Sequence, residues 1–150
     1  MRIRAARRDD FEAVTQLLEE LGRPTVTPQT EPDCRAVYEG QIMDPDAHHI
    51  VAEHDGNVVA FASVHFRTRL NQPTEEVWIP DLIVTADARR RGIGRALLEE
   101  AERRGRERGC HMLQLESAYF RAEAHYMYRQ FKMRDLGKAF YKALKTTSNR

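Results

Sequence analysis

Cysteine is nearly absent: the chain has 150 residues and only Cys34 and Cys110, far apart and without metal-type spacing, so both are read as reduced thiols. Charge of one sign is missing too. Twenty-four Lys and Arg face 23 Asp and Glu, for a net charge of +1, which removes the global field that nucleic-acid binding uses and leaves room only for a local anion site. No apolar run approaches the roughly 20 residues of a membrane span, and "MRIRAARRDD" does not resemble a signal peptide, so a cytoplasmic protein with neither a membrane nor a nucleic-acid partner is expected. The six histidines, His48, His49, His54, His65, His111 and His125, show no i, i+4 pair of the helical metal type, and no metal is expected. Low-complexity stretches and internal repeats are lacking as well.

What is present is an ordinary globular composition, 41% hydrophobic and 31% charged, at a length that suits a single domain over residues 1–150. "RIRAAR" at residues 2 to 7 alternates like a strand. Asp9 and Glu12 have capping-box spacing ahead of an apolar stripe of Phe11, Val14, Leu17, Leu18 and Leu21 that Gly22 ends. Residues 23 to 32 carry three prolines and read as a loop, and a weaker helix runs from Asp33 to Met43. Asp55-Gly56 between two apolar runs marks a hairpin. A third strand is expected over residues 76 to 85, with Pro80 forcing a bulge or an edge because it has no amide to give. A helix over residues 92 to 108, a strand at "HMLQLES", a helix at "AEAHYMYRQF" and a closing pair of short strands about Leu136-Gly137 complete the order. The class is α/β, with a mixed, largely antiparallel central sheet flanked by helices.

One stretch concentrates the chemistry: "DLIVTADARRRGIGRALLEEAERRGRERGC", residues 81 to 110. The first-turn amides of a helix lack partners within it, and its dipole places partial positive charge there. Gly92 and Gly94 withhold side chains that would keep a ligand off those amides, and Arg89, Arg90, Arg91 and Arg95 surround the spot with cations. No Gly-Lys-Ser/Thr follows, so it is not a Walker loop, and a single G-x-G is not a dinucleotide fingerprint. A solvated, Arg-rich cap is the bland alternative.

Arg89-Arg90-Arg91-Gly92-Ile93-Gly94 resembles the R/Q-x-x-G-x-G/A signature of the GNAT superfamily of N-acetyltransferases, in the same place between a strand ending in Leu82-Ile83-Val84 and a long helix. The element order is similar from about residue 2 to residue 144. "AHYMYRQFKM" at residues 124 to 133 is similar to the family's "AHRFYERLGF", with Tyr128 on the family tyrosine, Lys132 for the usual Gly and Met133 for the usual Phe. Arg121 stands where many members have Asn, so no asparagine contact carries over. The resemblance implies acetyl transfer from acetyl-CoA to an amine, in a fold whose sheet splays into an acetyl-CoA cleft. Pyrophosphate would sit on the amides of Arg91 to Ala96, and the backbone of Ile83 and Val84 would hold pantetheine and polarise the thioester. Tyr128 is then the candidate acid for the leaving thiolate, and Asp81 and Glu76 are candidate bases. Alternation places these carboxylates on opposite faces unless a bulge at Pro80 swaps parity. His65 and His125 are possible proton relays, and Tyr38, Trp78, Tyr119 and Phe120 are possible pocket linings against a plain core role.

The acceptor is expected near residues 23 to 45. The chain resembles small enzymes acetylating small amines, including aminoalkylphosphonate N-acetyltransferases, which share a similar "DAHRFY" helix and "EL.V" strand. A polyamine or aminoglycoside asks for acidic groups, an aminophosphonate for arginine, and the chain has both. Acetylation of a protein amine and a non-catalytic acetyl-CoA sensor remain as alternatives, and a homodimer through exposed C-terminal strands is compatible with the family.

Overall fold

A computed structural model describes residues 1–117 and 121–145, which divide into two compact units, Met1–Leu115 and Glu116–Arg150. In the first unit the order is β1 (Arg2–Ala5), a 3₁₀ turn at Arg8–Asp10, α1 (Phe11–Leu21), α2 (Glu31–Ile42), β2 (Ile50–His54), β3 (Asn57–Ala62), β4 (His65–Arg67), β5 (Glu76–Ile79), β6 (Leu82–Val84), a 3₁₀ turn at Ala86–Ala88, α3 (Ile93–Glu107) and β7 (Met112–Leu115). The second unit carries α4 (Ala122–Gln130).

The strands form one sheet in the order β1-β2-β3-β6 and a second in the order β4-β5-β7. Every pairing is antiparallel except β5 with β7, between which the chain passes through β6 of the other sheet and then α3. The β2–β3 hairpin turns on Asp55 at φ 50° and Gly56 at φ 80°, the left-handed pair that the Asp-Gly signal predicts.

Three sequence expectations change. Residues 76 to 85 are not one strand: β5 pairs with β4 and β7, β6 pairs with β3, and the chain passes from one sheet to the other at Pro80 and Asp81. The capping carboxylate ahead of α1 is Asp10, which accepts the Arg7 amide at 2.7 Å, because a 3₁₀ turn precedes the helix and shifts the spacing by two residues from the expected Asp9 and Glu12. Among the described residues 133 to 145 no strand forms, so the expected strand pair about Leu136-Gly137, and a dimer through it, find no support.

Alternation along the strands divides the first sheet's faces. Val51, Phe61 and Ile83 lie on one face and pack with Phe11, Val14, Leu17 and Leu21 of α1. Ala52, Ala60 and Ala62 lie on the other, where α3 runs against β2, β3, β5 and β6 with Leu97, Leu98 and Ala101 fully buried. Alanines on that face let the helix approach closely. Gly105 takes this further: a Cβ there would stand 2.5 Å from Cγ2 of Val77, which is itself 1% exposed. Gly to Ala in a helix interior ordinarily gains about 1 kcal/mol. Here the stiff, buried Val77 cannot rotate away, so Gly105→Ala is expected to lower stability by about 1–2 kcal/mol in denaturant unfolding.

No helix among the described residues is long and apolar enough to cross a membrane. Cys34 and Cys110 are both free thiols.

Candidate active site

The helix start is built as the sequence suggests, with one refinement. Arg90 at φ 63° and Gly92 at φ 77° reverse the chain into α3, with Gly92 as its N-cap. A Cβ at Gly92 would meet nothing within 4 Å, so the space over this turn is open. Ala96 already donates its amide to the Gly92 carbonyl at 3.0 Å. It is therefore spent inside the helix, which removes it from the amides expected to meet an anion and leaves the preceding turn, Ile93 and Gly94 included, without partners inside the helix. Glu20 of α1 accepts Thr85 Oγ1 at 2.9 Å and the Ala86 amide at 2.8 Å, tying the approach to this turn to the first helix. Arg89 donates Nε to the Val84 carbonyl at 2.9 Å, so one of the expected cations helps to hold the loop. Arg91 and Arg95 are exposed beside it.

The strand before it shows which backbone groups are open. Ser63 donates its amide to the Asp81 carbonyl at 2.9 Å, and Thr85 donates to the Val59 carbonyl at 2.9 Å. With Phe61 opposite Ile83, antiparallel alternation makes Ile83 a bonded partner of Phe61 and turns the backbone of Leu82 and Val84 the other way. Ile83 was expected to hold pantetheine; instead its backbone is committed to β3 and its side chain to the core. Beyond Ile79, opposite Leu115, β5 and β7 part company with β6, so Leu82 and Val84 border an edge of the sheet among the described residues. That edge is the divergence the splayed fold calls for.

Three residues line up across the first sheet at this level. By register His49, Ser63 and Asp81 stand side by side on the face that α1 covers below. Ser63 Oγ accepts the Asp81 amide at 2.8 Å and lies 3.1 Å from Asp81 Oδ2, to which its hydroxyl donates. Asp81 Oδ1 accepts Nε of Arg23 at 2.7 Å, and Arg23 Nη2 reaches the Pro80 carbonyl at 3.0 Å. Arg23 arrives there because Gly22, at φ 106°, ends α1 and turns the chain so that the Arg23 amide bonds the Leu18 carbonyl.

His49 is 5% exposed and has a defined tautomer. Nδ1 accepts the Val64 amide at 3.1 Å, so Nε2 carries the proton and donates to Gln41 Oε1 at 2.5 Å. Burial first, with His65 adding to it, lowers its pKa from 6.5 to about 4. The sign of the linkage is set by the depressed folded value: the unfolded chain binds a proton between pH 6.5 and 4 where the folded one does not, so stability is full above 6.5 and falls as the pH drops through that window. Denaturant unfolding at pH 7 and pH 5 should show a loss at the lower pH, with a total effect on the order of 3 kcal/mol by pH 4, and His49→Gln should flatten it.

The His65 ring lies 5.0 Å from that of His49 and 5.4 Å from that of Trp78. Burial lowers the His65 pKa, against a pull upward from Asp81. These ring contacts place Trp78 on the Asp81 face, while Val77 points at Gly105 of α3. The break at Pro80 has therefore swapped strand parity, and Glu76 shares the face with Asp81. Their surroundings differ. Glu76 is 1% exposed, and its Oε1 accepts Arg67 Nε at 2.6 Å and Arg69 Nε at 2.9 Å; burial pushes its pKa up, but the two guanidiniums outweigh that and hold it below the usual range. Arg67 also lies over the Trp78 ring, 4.4 Å from its centroid.

Among the other expected residues, Tyr38 is a core residue: buried, packed on Phe11 and donating its hydroxyl to the Arg7 carbonyl at 2.7 Å. Tyr119 and Phe120 lie outside the described residues. Tyr128 and His125 belong to α4 in the second unit, where Tyr128 is half-buried and burial raises its phenol above the ordinary value. Among the described residues no group of His, Cys, Asp or Glu converges as for a metal ion. Sequence reasoning missed Arg23 and Ser63. Only the Gly22 stop signal pointed to a turn there, and nothing local indicated where that turn would send Arg23.

Comparison with known proteins agrees with this geometry. The family model described as "Acetyltransferase (GNAT) family" matches residues 11–133. An aminoalkylphosphonate N-acetyltransferase of Salmonella typhimurium is 29% identical over 145 residues, covering 95% of this chain and 90% of the relative. A Bacillus halodurans protein solved as a transcriptional regulator superposes with a TM-score of 0.81 at 26% identity, covering 97% of this chain and 98% of its own. An aminoglycoside N-acetyltransferase solved in complex with CoA shares the fold, with a TM-score of 0.78 at 16% identity, covering 97% of this chain and 100% of its own. The glycine-capped helix start, the open edge at Leu82 and Val84 and the match over residues 11–133 converge: the chain is a member of the GNAT family of N-acetyltransferases, which draw their acetyl group from acetyl-CoA.

Proposed function

We propose that this enzyme acetylates the primary amine of a small molecule by direct attack on the thioester, with Asp81 as the proton acceptor. The observation that carries the reading is the place of Asp81: at the Pro80 break, next to the open edge of β6, with its carboxylate directed by Ser63 and Arg23 rather than sunk in the core. The aminoalkylphosphonate relative supports a small acceptor.

The residues present suit acetyl-CoA. The outward amides about Ile93 and Gly94, the open space over Gly92 and the nearby arginines suit a pyrophosphate, and the edge groups of Leu82 with the amide of Val84, whose carbonyl Arg89 already holds, suit the amides of a pantetheine arm. When bound, acetyl-CoA supplies the acyl group already activated as a thioester. The chain's own part is orientation and proton handling. An amine arrives as an ammonium, and Asp81 attracts it and takes its proton on a carboxylate oxygen, so that the nitrogen lone pair is free to form the new C–N bond as the C–S bond breaks. Each Asp81 oxygen has one partner described above and a further lone pair to accept with. The family resemblance assigns the acid for the departing thiolate to Tyr128, a role that Tyr128→Phe tests by a fall in turnover at unchanged acetyl-CoA affinity; burial raises its phenol above the ordinary value. Glu76, clamped by two arginines, serves the sheet rather than the acceptor.

Release of free thiol from acetyl-CoA, measured against aminoalkylphosphonates, amino acids, polyamines and aminoglycosides, tests the reading. Turnover with one class is expected. Tight acetyl-CoA binding without turnover on any small amine overturns it in favour of a protein acceptor or a sensor.

A further inference from the structure

We infer that Arg23 determines acceptor specificity by binding an acidic group on the substrate, so that the preferred amine is a zwitterion with its acid a short carbon spacer from the nitrogen. The inference rests on the small-amine reading above and concerns the same site.

The argument begins with how Arg23 is held. Its Nε bonds Asp81 Oδ1 at 2.7 Å and its Nη2 bonds the Pro80 carbonyl at 3.0 Å, which uses two of the five N–H groups of the guanidinium along one edge. The remaining N–H groups lie along the outer edge of a side chain that is 50% exposed. That edge is the fork that recognises a carboxylate or phosphonate through paired, charge-assisted bonds. The inner contacts have already fixed the rotamer, so an arriving anion finds the fork in place instead of having to order it.

Exposure makes the Arg23–Asp81 pair a weak stabiliser. Its consequence for a ligand is larger. Asp81 attracts any ammonium, yet a cation 2.7 Å from Oδ1 repels one that brings nothing else. A zwitterion resolves the conflict, with its ammonium on the remaining lone pairs of Asp81 and its acid on the outer edge of Arg23, and all four charges alternate in sign. A polyamine or an aminoglycoside adds only further positive charge beside Arg23. The position of Arg23 agrees: it opens the irregular segment between α1 and α2, in the region expected from the sequence to meet the acceptor.

The test compares two amines on the same protein preparation, which cancels any difference in folded fraction. Aminomethylphosphonate and β-alanine are each measured against ethylamine with wild type, Arg23→Gln and Arg23→Lys. Wild type is expected to favour the acid-bearing amines by about 100-fold in kcat/KM, as the loss of a paired charge-assisted contact implies. Arg23→Gln should collapse that ratio toward unity, chiefly through KM of the acid-bearing amine, and Arg23→Lys should restore part of it. A wild type that turns over ethylamine as well as the acid-bearing amines, or an Arg23→Gln protein that keeps the preference, overturns the role of Arg23 and leaves the small-amine reading standing. No turnover of any of these amines by wild type overturns the role of Arg23, and the wider amine panel above then decides the small-amine reading separately.

Discussion

A Gly92→Val protein is expected to lose acetyl-CoA affinity by on the order of 100-fold or more, read by calorimetry or by competition with free coenzyme A. Two physical effects act together. Gly92 sits at φ 77° as the N-cap of α3, a left-handed conformation that a β-branched residue adopts only at a cost of about 1–3 kcal/mol. Relief of that strain would reorient the turn whose amides are proposed to hold the pyrophosphate. In addition, the space a Cβ would enter is empty in the protein itself, so the added branches would stand where a ligand's phosphate needs to lie. Gly92→Ala separates the two effects, since it keeps most of the backbone strain and adds little bulk. Unchanged affinity in the valine variant would remove the pyrophosphate from this helix start.

Asp81→Asn is expected to lower kcat by about 100- to 1,000-fold, within the range that general-base catalysis contributes. The amide occupies the same volume, and its single oxygen can still accept from Arg23 while its NH2 stands where Oδ2 faced Ser63 Oγ, which can accept there, but the amide cannot take the ammonium proton at any pH. The rise in rate with pH that a carboxylate base produces should disappear, leaving only the dependence on free amine in solution. A melting curve close to wild type would show that the Ser63 bond to the residue 81 amide, which the substitution does not touch, still holds the turn. Turnover near wild type would mean that the amine enters already deprotonated, and Asp81 would then serve only to orient Arg23.

How far the sequence foretold all this depends on the range of the signal. The α1 stripe, the Gly22 stop, the Asp55-Gly56 turn and the Arg-rich, glycine-capped start of α3 were legible, because each rests on contacts within a few residues of chain. The helix-period and strand-period patterns also conveyed the α/β class, and the GNAT resemblance conveyed the activity. Glu76 was legible as a carboxylate on a strand but not as a clamped one, since Arg67 and Arg69 reach it only once β4 pairs with β5.

The sequence by itself therefore determined most of the elements, the Arg-rich, glycine-capped helix start and the family. Tertiary structure alone decided the rest of the site. It moved the break at Pro80 from a bulge to a passage between two sheets and swapped the parity of the strand. It assigned the open backbone edge to Leu82 and Val84 instead of Ile83. It brought His49, Ser63, Asp81 and Arg23 together from four separate segments. The physical reason is that hydrogen-bond direction in a ladder and contact across strands are set by register, and register is a property of pairs of segments that no single stretch of chain contains.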